Sequence, residues 1–248
     1  MTINKTITSL TPEVTPEVLP QGWGVCYYIT MSIRKVSFVP GEYYHIYNRG
    51  NSKQKIFHDK KDYLYFIKLL HVFNQKNNTQ IRDRSYDIFT PHKNNDPLVA
   101  IGAWVLMPNH FHILITPTED GNVSKYMQKV CTGYVMYYNQ KYKRTGSLFE
   151  GKFKSQHASN DRYLKYLFSY IHLNPLKLID SKWKENGIKN IQKTFDFLDS
   201  YEYSSYIDYV NVDKRPQGII LNTKAFPNYF SNRKEFKNEI LDWFKYQQ

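Results

Sequence analysis

Two histidines flank a single phenylalanine in the stretch Met107-Pro108-Asn109-His110-Phe111-His112-Ile113-Leu114-Ile115. The apolar run at its end predicts a strand, and Pro108-Asn109 predicts the tight turn that leads into it. Alternate residues of a strand point to the same face, so His110 and His112 should project together with Phe111 buried behind them. Two adjacent imidazoles are half of a divalent-metal site, although a lone His-x-His is more often structural.

The composition limits the kind of protein. The 248 residues are 41% hydrophobic, with a net charge of +12 and 22 tyrosines. A basic, tyrosine-rich surface suits the phosphates and unstacked bases of nucleic acid, but an ordinary basic soluble protein can have the same composition. Cys26 and Cys131 are the only cysteines, which argues against a disulfide scaffold or a cysteine zinc site and fits a reducing cytoplasm.

No apolar run approaches the length of a membrane span, and the start lacks the pattern of a secretory signal. We therefore expect a cytoplasmic protein, in the bacterial cytosol or nucleoid, with no membrane partner.

Periodicity along the chain predicts alternating strands and helices. Strands are expected over residues 42–50, 98–106, 110–116 and 147–154, and helices over residues 62–74, 122–143 and 161–174. The short connection between the second and third strands predicts a hairpin. This order predicts an α+β fold with a ferredoxin-like (RRM-like) antiparallel sheet and helices on one face.

The two ends of the chain are expected to lie outside the main domain, which spans residues 31–180. Residues 1–30 contain a proline-rich near-repeat without helical period, so we predict a loose extension. The basic stretch after Met31 leads to the hypothesis that this methionine is the true start. Residues 181–248 should form a helical C-terminal extension, whose last amphipathic helix contains Phe236, Ile240, Leu241 and Phe244.

The third predicted helix could complete the histidine site. Tyr170 and Asn174 are four residues apart and lie on one helical face. The amide oxygen can add to a hard-metal site begun by His110 and His112, and the phenol can act as a nucleophile. A divalent cation polarises a phosphodiester, and a phosphotyrosine would conserve the energy of the cut bond. An enzyme with these groups could cut and rejoin DNA without ATP.

Tyr170 has rivals on its own helix. Tyr163 and Tyr166 lie on nearly the same face, and a stripe of tyrosines usually packs a core. The spacing to Asn174 favours Tyr170. His172 points to another side of the helix and is not expected to be a metal ligand.

These motifs resemble the paired signatures of the HUH single-tyrosine transposases, and most closely their REP-associated (RAYT) branch. The two signatures are residues 107–112 and Tyr170-Ile171-His172-Leu173-Asn174-Pro175. Residues 44–50, 146–154 and 203–206 are also similar to segments of that branch. The resemblance covers roughly residues 38–210 in the family's order.

The resemblance implies that residues 31–180 are a catalytic domain that nicks and joins single-stranded DNA, often beside a hairpin. The implied products are a 5′-phosphotyrosine and a free 3′-hydroxyl. By this resemblance His110, His112 and Asn174 bind Mg²⁺ or Mn²⁺, and Tyr170 is the nucleophile. A monomer or a homodimer is consistent with the class.

Four residues are candidates for contacts with nucleic acid: His45, Arg49, Lys152 and Lys154. His45 is equally well interpreted as a satisfied core histidine, and the basic residues as ordinary solvated surface. Lys152 stands where the family more often has arginine. A lysine can still contact a phosphate, but it cannot bind the phosphate in the bidentate geometry of an arginine.

Two other functions remain open from the sequence. The same fold could bind single-stranded nucleic acid by stacking without catalysis. The presence of all four candidate catalytic and metal-binding residues argues against such a loss. A metal-dependent phosphodiesterase that uses water would cut DNA without forming a protein–DNA adduct.

Overall fold

The computed structural model describes residues 37–77, 89–91, 96–188, 190–211, 213–230 and 232–245. The predicted extension over residues 1–30 and the hypothesised start at Met31 lie outside this part of the chain. The boundary between residues 31–180 and 181–248 stays a prediction.

A four-stranded antiparallel sheet forms the centre of the fold. Its strands are β1 (Tyr44–Arg49), β2 (Val99–Met107), β3 (His110–Pro117) and β4 (Lys154–His157). Their spatial order is β2-β3-β1-β4, and Pro108-Asn109 turns β2 into β3 as a hairpin. This order confirms the predicted α+β, ferredoxin-like sheet.

The fourth strand was predicted wrongly at 147–154, since β4 begins only at Lys154. The segment before it touches the sheet through a single bridge, between Phe149 and Gly50. Leu148 and Phe149 are buried there as loop anchors, which explains their apolar character without a strand. Gly146 and Gly151 have φ values of 83° and 136°, which are incompatible with a continuous strand.

Helices cover both faces of the sheet, so the prediction of helices on one face is wrong. Helices α1 (Lys60–Val72) and α2 (Asn122–Lys141) pack on the face that carries Phe111, as expected. Helix α3 (Asp161–Leu173) lies on the opposite face, against Leu114 and its neighbours on β2. Both faces need a cover because β3 is buried on both sides from Phe111 onward.

The helical C-terminal region is confirmed. A 3₁₀ turn (Asn174–Leu178) follows α3 directly, and two further 3₁₀ turns precede the last helix. Four helices lie in this region: α4 (Trp183–Asn186), α5 (Ile191–Ser200), α6 (Tyr206–Val210) and α7 (Arg233–Lys245). Phe236 and Ile240 of α7 are buried, as the amphipathic pattern predicts.

The C-terminal region is joined to the sheet by backbone hydrogen bonds along β2. The Leu106 N–H donates to the Tyr203 carbonyl, and the Ser205 N–H donates to the Trp104 carbonyl, both over 2.9 Å. In the part of the chain that the structure describes, no helix has the length and apolar character needed to cross a bilayer.

Candidate active site

His110 and His112 project together from β3 towards α3, as the strand alternation predicts. Their ring centroids lie 5.0 Å apart, while Phe111 is fully buried on the other face of the sheet. His112 stands opposite Tyr47 of β1 and Val105 of β2, so paired strands on both sides hold its backbone. Rigid strands therefore fix the spacing of the two imidazoles.

Tyr170 on α3 faces this histidine pair. Its ring centroid lies 5.5 Å from that of His112, in an edge-to-face arrangement. Tyr170, His110 and His112 line one cavity of about 370 Å³. Tyr163 and Tyr166 do not line this cavity, although the Tyr166 ring lies 5.6 Å from that of Tyr170. The geometry thus distinguishes Tyr170 from its two rivals.

His45 lies behind His112 and does not line the cavity. Its Nε2 is 2.8 Å from Nδ1 of His112, and the side chain is only 5% exposed. Of the two interpretations of His45, the structure favours the buried histidine with a satisfied partner over a direct DNA contact. When His112 presents its Nε2 lone pair to the cavity, its Nδ1 carries the proton. This Nδ1–H then donates a hydrogen bond to Nε2 of His45.

Burial keeps these imidazoles neutral. It lowers the pKa of His45 to about 4 and that of His110 to about 4. For His112, burial is the main cause that holds the pKa well below its usual value. Neutral imidazoles retain the lone pair that a metal ion requires.

Asn174 lies at the carboxyl end of α3, next to His110. It is 1% exposed, yet neither amide atom has a partner at normal hydrogen-bond geometry. Its proximity to His110 raises the pKa of that imidazole, against the larger effect of burial. His110 Nδ1–H donates to Asn109 Oδ1 over 2.6 Å, which leaves Nε2 free.

These donors fit a hard divalent cation. An unpartnered buried amide beside two neutral imidazoles is costly unless a ligand satisfies it. Across the described residues, no three His, Cys, Asp or Glu side chains converge as metal ligands. The two strand histidines therefore have no third ligand of these types among the described residues, and the Asn174 amide lies beside His110.

The cavity is strongly basic. Its charged lining residues are Arg49, Lys53, Glu150, Lys154 and Lys177. Glu150 neutralises Arg49 in a 2.5 Å ion pair. Lys152, by contrast, is exposed in the loop before β4 and is not a lining residue. Of the four predicted contacts, Arg49 and Lys154 thus line the cavity, whereas His45 and Lys152 do not.

Sequence reasoning missed two lysines that follow Asn174. Lys177 lines the cavity from the 3₁₀ turn, and Nζ of Lys184 on α4 lies 4.4 Å from the centroid of the Tyr170 ring. Burial lowers the pKa of both lysines. The sequence offered one signal for the placement of these lysines, which is Pro175. A proline disturbs a helix, so it indicates that α3 ends here and that the chain can turn back.

A ferredoxin-like sheet with two strand histidines facing a helix-borne tyrosine is the arrangement that the motif resemblance predicts. Residues 75–174 match the family described as "Transposase IS200 like". This match confirms the predicted resemblance to single-tyrosine transposases over that segment of the chain. The matched segment runs from the end of the first helical region to Asn174.

Among solved structures, the chain is similar to that of a REP-associated tyrosine transposase bound to a REP hairpin. The two chains share 15% sequence identity with a TM-score of 0.44, over 81% of this chain and 99% of that chain. No curated protein matches the chain.

Proposed function

We propose that this protein nicks and joins single-stranded DNA, beside hairpin or palindromic sequence, through a 5′-phosphotyrosine intermediate that depends on a divalent metal ion. One observation carries the proposal: the Tyr170 ring faces His112 at 5.5 Å in a basic cavity. The family match over residues 75–174 supports a transposase-type reaction.

The chemistry follows from the groups that line the cavity. The Tyr170 oxygen attacks the phosphorus atom of a phosphodiester, and the bond from phosphorus to the 3′-oxygen breaks. The 5′-phosphate stays on Tyr170, whose phenol loses its proton, and the 3′-oxygen gains one proton and leaves as a hydroxyl, so the step is balanced overall. Attack by a 3′-hydroxyl on the phosphotyrosine reverses these steps and joins strands.

The metal would be held by Nε2 of His110, Nε2 of His112 and the amide oxygen of Asn174. Mg²⁺ and Mn²⁺ accept such a mixed nitrogen and oxygen set. When bound, the ion would polarise the scissile phosphate and reduce its negative charge. Asn109 and His45 hold the outer nitrogens of the two imidazoles and so orient the metal-facing nitrogens.

The proposal is tested with single-stranded oligonucleotides covering the DNA that flanks the gene. Each is labelled at its 5′ end in one reaction and at its 3′ end in another, with Mn²⁺ present. We expect the 3′ label to migrate with the protein on a denaturing gel. The 5′ label should appear in a shorter, free strand that ends in a 3′-hydroxyl.

Other outcomes would contradict the proposal. Cleavage with both labels free of protein indicates a phosphodiesterase that uses water. Binding without cleavage of any flanking strand indicates a nucleic-acid-binding protein that lacks catalysis.

Replacing His45 by phenylalanine tests whether the buried His45 side chain supports metal binding by His112. The change removes the Nε2 acceptor for His112 Nδ1 and keeps a ring in the space. We expect the affinity for Mn²⁺ to fall by about 10- to 100-fold, as measured by titration calorimetry. His157→Phe is the control, because His157 lies on β4 and pairs with Glu42 outside the cavity. Equal affinity in wild type and His45→Phe would remove the supporting role of His45.

A further inference from the structure

Lys177 and Lys184 form a pair of cations beside Tyr170, which we name the lysine pair. Both side chains are half-buried. Neither has an acidic partner among the residues that the structure describes. Two other cations of this region are paired, Arg49 with Glu150 and Lys165 of α3 with Glu239. Lys53 and Lys154 also line the cavity, but both are exposed to solvent.

The lysine pair points to the same place from two short elements. Lys177 lines the cavity with the two strand histidines, and Lys184 packs its Nζ over the Tyr170 ring at 4.4 Å. Burial lowers the pKa of Lys184, and the nearby charge of Lys177 lowers it further. Both lysines therefore lie at Tyr170, Lys177 in the cavity that Tyr170 lines and Lys184 against its ring.

Holding two like charges together, partly out of water and without an acid, is unfavourable. An anion placed between them would remove this cost and gain two charge-assisted contacts. The cation–π contact with Tyr170 fixes Lys184 in position while leaving its ammonium donors free for such a ligand.

We propose that the lysine pair is the phosphate-binding element of this site, and that it clamps the backbone phosphate presented to Tyr170. This inference rests on the proposed function and deepens it. Both lysines lie beyond residue 174, where the family match ends. The segment after the matched region thus supplies part of the substrate contact.

The test is equilibrium binding of a 20-nucleotide oligothymidylate to the full chain, with EDTA present, over a series of salt concentrations. Each lost phosphate contact reduces the slope of log K against log salt by about 0.7 for single strands. We expect this loss in Lys177→Met and in Lys184→Met, about twice this loss in the double variant, and recovery in Lys184→Arg. Lys182→Met is the matched control, since Lys182 is exposed two residues before Lys184, and its slope should equal that of wild type.

Several results would overturn the proposal. These are wild-type slopes in Lys177→Met and Lys184→Met, an equal loss in Lys182→Met, or no salt-dependent binding by the wild-type chain. Adduct formation is measured on the same variants without EDTA and with Mn²⁺. Slopes as expected with no adduct in wild type would overturn the proposed chemistry and leave the phosphate clamp standing.

Discussion

Tyr170→Phe is expected to abolish the covalent protein–DNA adduct and strand cleavage together. The substitution removes one oxygen atom, which is the atom that forms the new bond to phosphorus, so the expected effect is complete loss. DNA binding should persist, because the ring and its edge-to-face contact with His112 are retained. The measurement is the denaturing-gel assay with 3′-labelled DNA, together with a binding titration.

Tyr163→Phe is the matched control for this experiment. Tyr163 is on the same helix, and its hydroxyl does not line the cavity. Full adduct formation is expected in this variant, and peptide mass spectrometry of the wild-type adduct should locate the nucleotide on Tyr170. An adduct that survives in Tyr170→Phe, or one that maps to Tyr166, would refute the assignment of the nucleophile.

Removing the metal is expected to have the second largest effect. Metal polarisation of the phosphate contributes several kcal/mol in comparable sites, which corresponds to about 100-fold or more in rate. We therefore expect EDTA, and separately His112→Ala, to reduce the rate of adduct formation by at least about 100-fold. Excess Mn²⁺ should restore the wild-type chain after EDTA but should not restore His112→Ala.

His58→Ala serves as the control for the histidine substitution. His58 is exposed and pairs with Tyr138 of α2, on the opposite face of the sheet from the cavity. The rate of adduct formation in His58→Ala should equal that of the wild type. Undiminished adduct formation in EDTA would exclude a metal role in the reaction.

The sheet and its principal helices could be predicted because their signals are local. Alternation along 107–115 predicts which side chains share a face, and the hairpin follows from the turn at Pro108-Asn109. The error at β4 has a physical cause: Leu148 and Phe149 are apolar because they anchor a loop in the core, and burial alone does not distinguish a loop anchor from a strand.

The four residues predicted for the reaction also came from short-range spacing. His110 and His112 are two residues apart on a strand, and Tyr170 and Asn174 are four apart on a helix. Each pair shares a face for reasons of backbone geometry alone. The prediction that the two pairs meet depended on the order of strands and helices along the chain. The periodicity of the apolar residues indicated that order.

The surroundings of the site were decided only by tertiary structure. The hydrogen bond from His112 to His45 joins residues 67 positions apart in the chain, and no local pattern encodes it. Helix α3 covers the second face of the sheet because β3 is apolar on both sides. Lys184 reaches Tyr170 because the chain turns back after Pro175, so its role depends on packing. The sequence by itself determined the pattern of elements and the two pairs of candidate site residues. Long-range packing determined which side chains support those residues and which charges surround them.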